Sequence, residues 1–307
     1  MNLTLSVLIP TRNRCEDISK CINSIINQSC IPETIIVVDS SDKDGLKEKL
    51  EKEIEQARIE FIYIKSEIKS AGIQRNIGIE KNNDDIILIL DDDIILEKNF
   101  VKEIKDIFEE DIKREIGAVT GKITNERKLG IVSTIIRKIF CLSENGKGEI
   151  KKSWSNNNYW KLNEISEVQW LPSGCSAYRK QVFVYENFDN NLFGYSYMED
   201  VDVSYRIGKK IKLIYDPLAK CIHNHKCSPS TRLNSREKQK VYMKNYQYLF
   251  KKNMPQQFNY KFCHYWSYIG YLIRGFLLER NLGFVLGTIE GIFINIFGKN
   301  ELVKKRK

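Results

Sequence analysis

The chain has 307 residues, 42% of them hydrophobic, enough for one large cored domain or a domain plus an appendage. Eight scattered cysteines without a CxxC pair, and a start on the strand-like segment 3–9 with no charged leader, argue against a disulfide framework and favour a reducing compartment. The net charge of +9 is uneven: Thr231 to Lys307 carry fifteen Lys or Arg against four Glu, while residues 1–230 carry 34 basic and 36 acidic side chains, a net of −2. The last quarter of the chain therefore calls for an anionic partner, either a membrane surface or nucleic acid.

In chain order, segment 3–9 reads as a strand closed by Pro10, and 14–27 has helical spacing with Ile18, Ile22, Ile25 and Ile26 on one face. Segment 34–38 is a second buried strand ending in Asp39, followed by a charged helix over 43–56 and a third strand over 59–64. A helix over 70–81 has Ser70 at its N-cap. Segment 86–90, five Ile and Leu residues, is a strand buried on both faces. A helix over 97–110 and a strand over 116–123 complete the alternation, which predicts a doubly wound parallel sheet. The polar stretch 124–166 reads as irregular and functional or mobile. Beyond it come a strand over 168–171, a short helix over 179–184, a helix over 197–208, and two short strands, 212–215 and 220–223, around an Asp216-Pro217 turn. From Ser235 the chain is helical almost to its end.

Asp91-Asp92-Asp93 follow the fourth strand directly. A strand buried on both faces cannot hold three carboxylates, so they sit where it leaves the sheet, at the edge where open α/β sheets bind ligands. If the backbone stays extended, Asp91 and Asp93 project to one side, and two hard oxygen ligands so placed suit Mg²⁺ or Mn²⁺ and, through it, a diphosphate. A solvated acidic turn is the plain alternative.

Four landmarks stand in order: Val7-Leu8-Ile9-Pro10-Thr11-Arg12-Asn13; the strand 35–38 ending in Asp39; Gly72, Arg75, Asn76 and Gly78; and Asp91-Asp92-Asp93. Together they resemble the nucleotide-binding half of the family 2 glycosyltransferases, which have the GT-A fold: a mostly parallel nucleotide-binding sheet flanked by helices, here with a C-terminal helical extension. The resemblance covers roughly residues 3–225. It implies that Pro10, Thr11 and Arg12 shape the nucleotide pocket and that Asp39 accepts a hydrogen bond from the base, uracil most often. It further implies that Arg75 lies near the diphosphate, that Asp91 contacts the ribose with Asp92 beside it, and that Asp93 ligates the metal. After Asp39 the chain has Ser40-Ser41-Asp42-Lys43-Asp44 where the family more often has a second Asp and Gly-Ser, which leaves the base less secure than the metal.

Transfer to a hydroxyl needs a group to take its proton. Glu199-Asp200-Val201-Asp202 opens a helix; the resemblance makes Asp200 the general base with Glu199 in support, while Asp202 and Arg206 have ion-pair spacing. Favourable interaction with the helix N-terminus is the structural alternative for this acidic run. Ser173 and Gly174 resemble the family's small-residue turn at the acceptor site, and Trp170 either stacks on a sugar or belongs to the core. In the run 221–227, Cys221, His223, His225 and Cys227 alternate, but an extended strand would spread them about 20 Å, too far for one zinc ion. The family often has a histidine about six residues after a proline here, reaching the metal or the diphosphate; Pro217 to His223 fits, with His225 as the alternate.

The expected protein is an inverting, metal-dependent glycosyltransferase moving a sugar from a UDP-type nucleotide-sugar donor to a glycan or lipid-linked acceptor. A non-catalytic nucleotide-sugar-binding partner subunit is the other reading. Residues 1–230 form the GT-A domain, with 1–123 the nucleotide-binding and 124–230 the acceptor half. Residues 231–307 form a basic amphipathic extension. Phe262 to Ile273 lack charge but are too interrupted to span a bilayer, and Lys304-Lys305-Arg306-Lys307 follow, so this extension fits an anionic membrane interface at the cytoplasmic face rather than nucleic acid. A helical pair packed on the core with a basic tail is the alternative.

Overall fold

The computed structural model describes residues 3–159, 161–224 and 233–297. The first half alternates β1 (Leu5–Thr11), α1 (Cys15–Ile26), β2 (Thr34–Asp39), α2 (Leu46–Ile54), β3 (Glu60–Lys65), α3 (Ala71–Lys81) and β4 (Ile86–Leu90). Then come β5 (Ile94–Leu96), α4 (Phe100–Glu110), β6 (Ile116–Ile123), α5 (Ile131–Ile139), β7 (Ser166–Val168), β8 (Cys175–Arg179), a 3₁₀ turn (Lys180–Val184), α6 (Glu199–Gly208) and β9 (Lys212–His223). Three helices follow, α7 (Ser235–Asn253), α8 (Phe258–Ile273) and α9 (Leu282–Phe297), with a π-helical turn (Arg274–Leu278) between the last two.

One sheet runs β3-β2-β1-β4-β8-β6-β9-β5, with β7 also on β9. Its first half, β3-β2-β1-β4, is parallel throughout. In the second half β8 is inserted antiparallel to both β4 and β6, and β5 and β7 run antiparallel to β9. Alternation along the strands explains the double winding. Val7, Ile9, Leu88 and Leu90 join one core cluster with Ile22 of α1 and Ile104 of α4. Leu8, Ile87 and Ile89 join the other, with Ile79 of α3 and Val203 and Ile207 of α6.

Four local expectations need correction. The first strand continues through Pro10 to Thr11, in register with Asp39 of β2. The stretch 124–166 contains α5, whose apolar residues at 131, 132, 135, 136 and 139 have helical spacing that the polar average of the region hides. The strand near 168–171 is instead 166–168, and β8 follows the Ser173-Gly174 turn. Finally, 212–215 and 220–223 are one strand, not two around a turn: its pairing with β6 slips between Thr120–Tyr215 and Lys122–Lys220, and Pro217 sits in that bulge, where no ladder amide is required.

The C-terminal helices build a third core with residues of segment 154–201: Met243, Tyr246, Phe250 and Tyr268 pack with Trp154, Trp170, Met198 and Val201. Asp202, fully buried, fixes this docking: it pairs with Arg206 of its own helix (3.0 Å) as its spacing predicted, and also with Lys252 (2.9 Å) and the Asn253 amide (2.7 Å) of α7. His264 of α8 is buried against Phe250 and bonded to the Ser153 carbonyl and Gln247.

Two predictions arise here. A methyl group on Gly78 would lie 2.1 Å from Leu8 Cδ1, in fully buried surroundings. Gly78→Ala should therefore cost about 1–3 kcal/mol in urea denaturation. Burial drives the His264 imidazole down to about 4. A depressed histidine stabilises the fold above its ordinary pKa, and that contribution is lost as pH falls towards 4. Between pH 6.5 and 4 this site should cost up to about 3 kcal/mol, and His264→Gln should remove that part of the pH slope.

Candidate active site

β4 ends at Leu90, and the Ile94 amide bonds the Asp91 carbonyl (3.1 Å), so the three aspartates occupy a tight turn between β4 and β5. Antiparallel pairing of β5 with β9 sets His223 opposite Ile94. That register brings the imidazole to Asp93, with His223 Nε2 3.0 Å from Asp93 Oδ1. Ligand atoms of Asp91, Asp93 and His223 all lie within 4.8 Å of one another. Asp91, read from sequence towards the ribose, thus shares one cluster with Asp93 and His223. Cys221 is outside the cluster, and His225 and Cys227 lie outside the described residues. Two carboxylates and one imidazole suit a divalent ion such as Mn²⁺ or Mg²⁺.

Asp92 points elsewhere. It accepts a hydrogen bond from Thr11 Oγ1 (2.8 Å) and pairs with Arg14 (2.8 Å), which also pairs with Asp93 (2.7 Å). Burial pushes Asp92 up to about 7, against the pull of Arg14 and Thr11. Burial also acts to raise Asp93, but the hydrogen bonds and charges of His223 and Arg14 hold it at about 2. His223 is raised in return: burial opposes this, and Asp93 outweighs it. Arg14 was not among the sequence candidates; its signal was a basic residue just past the carboxyl end of the first strand.

Asp39 is fully buried at the end of β2. It accepts from the Ser41 amide (2.7 Å), Tyr63 Oη (2.6 Å) and Lys65 Nζ (3.3 Å). Gln74 of α3, also absent from the sequence candidates, donates to the carbonyls of Thr11 and Val38 and so ties the ends of β1 and β2 together. Arg12 turns away from the aspartates towards Asp42 (3.5 Å).

Arg75 joins the two halves of the site. It is buried, and its guanidinium reaches Asp91 (2.7 Å) and Glu199 (2.5 Å) at once. Glu199 and Asp200 open α6 after Met198, which takes a left-handed backbone conformation. Asp200, half-buried, accepts from the amides of Val201 (2.8 Å) and Ser173 (3.4 Å). Burial raises both carboxyls; Arg75 opposes this in each. Gly174 faces the triad: its carbonyl accepts from the Asp91 amide (3.2 Å), and a Cβ there would lie 2.9 Å from Asp91 Oδ2. Trp170 resolves to the core reading. It is buried, stacked on Tyr159 at 5.2 Å, and its indole donates to the Asn157 carbonyl. Beside it a cavity is lined by Lys122, Glu126, Lys128, Asn158, Pro172 and Tyr215.

The sequence pattern of glycosyl transferase family 2 matches residues 6–183, more than half of the chain. The chain belongs to glycosyl transferase family 2. Within that setting, glycosyltransferase AglE of Haloferax volcanii is 34% identical over 93 residues, 29% of this chain and 30% of that relative. The structure of GalNAc-T7 with UDP, GalNAc and Mn²⁺ aligns at a TM-score of 0.62 and 18% identity, over 86% of this chain and 50% of that one. Mannosyltransferase PcManGT from Pyrobaculum calidifontis, in complex with GDP-Man and Mn²⁺, aligns at 0.61 and 12% identity, over 97% and 88%. The chain thus spans half of GalNAc-T7, and its match to AglE covers under a third of either protein. The fold of this family 2 chain is the GT-A fold.

Replacing Arg75 by Met should leave Asp91 and Glu199 without their shared cation. Breaking a buried pair from one side costs about 3–5 kcal/mol, so a comparable loss is expected in chemical denaturation. Arg75→Lys should recover only part of it, because an ammonium cannot present two divergent N–H groups in a plane.

Proposed function

We propose that this family 2 protein is an inverting glycosyltransferase that moves a sugar from a nucleotide-diphosphate donor, UDP-type, to a hydroxyl of a glycan or lipid-linked acceptor. The observation that carries this reading is the coupling of two carboxylate groups through Arg75: the Asp91–Asp93–His223 cluster on one side and Glu199–Asp200 on the other. One suits a diphosphate with its cation, the other a hydroxyl proton. The relatives bound to UDP or GDP-Man with Mn²⁺ support the donor class. The catalytic unit is taken as residues 1–230, with 231–307 as a helical extension.

In this reading Pro10, Thr11 and Arg12 border the nucleotide, and Asp39 takes the base edge, sharing the carboxylate that Tyr63 and Lys65 now hold in place. Asp91, Asp93 and His223 would hold Mn²⁺ or Mg²⁺, which offsets the charge of the departing diphosphate. Asp200 takes the proton of the acceptor hydroxyl. Its carboxylate is oriented by the Ser173 and Val201 amides, and burial makes it a stronger base than a solvated aspartate. The hydroxyl oxygen bonds to the anomeric carbon from the face opposite the nucleotide, and the bond to the diphosphate breaks with its electron pair. Glu199, fixed by Arg75, keeps the Asp200 end of α6 in place. Ser173 and Gly174 leave room for the sugar.

Asp200→Asn should lower transfer at least about 10²-fold, while calorimetric nucleotide binding with Mn²⁺ stays close to wild type. Retained turnover would remove Asp200 as the base. Asp93→Ala should abolish the Mn²⁺-dependent part of nucleotide binding, and an unchanged titration would count against the metal role. Donor hydrolysis by the wild type separates an enzyme from a binding subunit.

A further inference from the structure

Three elements, with α5 and α9 each packed on α8, leave apolar faces uncovered. On α5, Ile131, Val132, Ile135 and Ile139 are exposed, Ile131 at 80%. On α8 the exposed stripe is Phe258, Phe262, Tyr265 and Ile269, with Phe258 at 83%. On α9 it is Leu282, Ile289, Phe293 and Phe297. The opposite faces are committed to the core: His264, Tyr268 and Tyr271 of α8 are buried, and Gly287 and Gly291 of α9 lie against Arg236 and Met243 of α7. α5 packs on α8 and on the π-helical turn, and α8 packs on α9. Phe140, just after α5, stacks on Trp266 (5.2 Å), whose indole donates to the Ile139 carbonyl (2.8 Å). Uncovered apolar area on this scale marks an interaction surface.

We propose that α5, α8 and α9 form a docking face that lies in the interface of an anionic lipid bilayer, with the cavity beside Trp170 next to it. Charge selects lipid over a second copy of the chain. The segment 127–139 exposes Arg127, Lys128 and Lys138 and holds no acidic residue, and α8 holds Lys261 and no acidic residue. Beyond Phe297 the sequence continues with Lys299 and the run Lys304-Lys305-Arg306-Lys307. A two-fold self-contact would set the exposed basic residues of 127–139 and α8 against each other, whereas an anionic surface complements them. Exposed Phe, Tyr and Ile beside Lys and Arg is the composition of a helix lying in the interface. Among the described residues no helix is long and apolar enough to cross a membrane.

The face is also tied to the site. The segment leading into α5 is anchored by Asn125, which donates to the His223 carbonyl (2.8 Å) and accepts from its amide (3.0 Å). Glu126 and Lys128 of the same segment line the cavity with Trp170 and Pro172. A sugar acceptor carried on a lipid would thus meet the cavity from the plane on which α5 rests. This last step rests on the proposed transferase reading; the docking face itself does not.

Vesicle flotation tests it. The full chain should float with phosphatidylcholine vesicles containing phosphatidylglycerol and far less with phosphatidylcholine alone, and added salt should weaken the binding. Ile131→Glu with Ile135→Glu, and separately Phe262→Glu with Phe293→Glu, should each weaken partition about tenfold or more. Unchanged melting and nucleotide binding would show that both variants are folded. The proposal is overturned if the wild type floats with neither vesicle, if both variants float like the wild type, or if they instead dissociate a dimer in light scattering. No sugar transfer is read, so failure here leaves the transferase reading standing, and a failed transfer assay leaves this one.

Discussion

A buried guanidinium between two carboxylates organises this molecule. Taking Arg75 and Glu199 out of water costs several kcal/mol per ion, and only close geometry, here with the partly exposed Asp91 as second partner, offsets that. At 2.7 and 2.5 Å the geometry is close, and Arg supplies it because its donors form a fixed planar fork. The consequence is mechanical as well as electrostatic. The end of β4 and the start of α6, more than a hundred residues apart, share one cation, so Asp91 and the Glu199–Asp200 pair are held in one frame.

Around that pair the excess negative charge is distributed rather than removed. Arg14 takes Asp92 and Asp93, His223 takes the other oxygen of Asp93, and backbone amides orient Asp200. Two opposed results follow from similar burial. Asp93, with two cationic partners, stays ionised far below neutrality, whereas Glu199 and Asp200 are raised because desolvation, with the nearby charge of Asp200 on Glu199 and of Asp91 on both, outweighs one shared arginine. β8 completes the arrangement: running antiparallel between β4 and β6, it brings the Ser173-Gly174 turn against Asp91, where the space admits no side chain.

Of the two alternatives that the sequence left open for the C-terminal helices, packing on the core is the one observed. Their inner faces pack on α6 and the residues around 154–170 through Asp202, Tyr246 and His264, so they are part of the fold. Their outer faces, joined by α5, keep large apolar side chains in water, which packing within one chain does not explain.

What the sequence determined by itself was the local and periodic part. Runs such as 86–90 and 116–123 are strands with the bounds expected, because a doubly buried strand needs an unbroken apolar run, and a carboxylate cluster can only follow where such a strand ends. Family motifs then marked Asp39, Arg75, the three aspartates and the Glu199–Asp200 pair. Tertiary structure decided the rest. The family's proline-to-histidine spacing also marked His223, but no periodicity reports that β5 pairs antiparallel with β9, the register that brings His223 to both Asp91 and Asp93. The shared partners of Arg75, the pairing of Arg14 with two aspartates, and the core position of Trp170 depend equally on contacts between segments far apart in the chain. Short elements hidden by composition, α5 and β8 above all, belong to the same class: their stability comes from the surfaces they pack against, which a sequence read one window at a time does not contain.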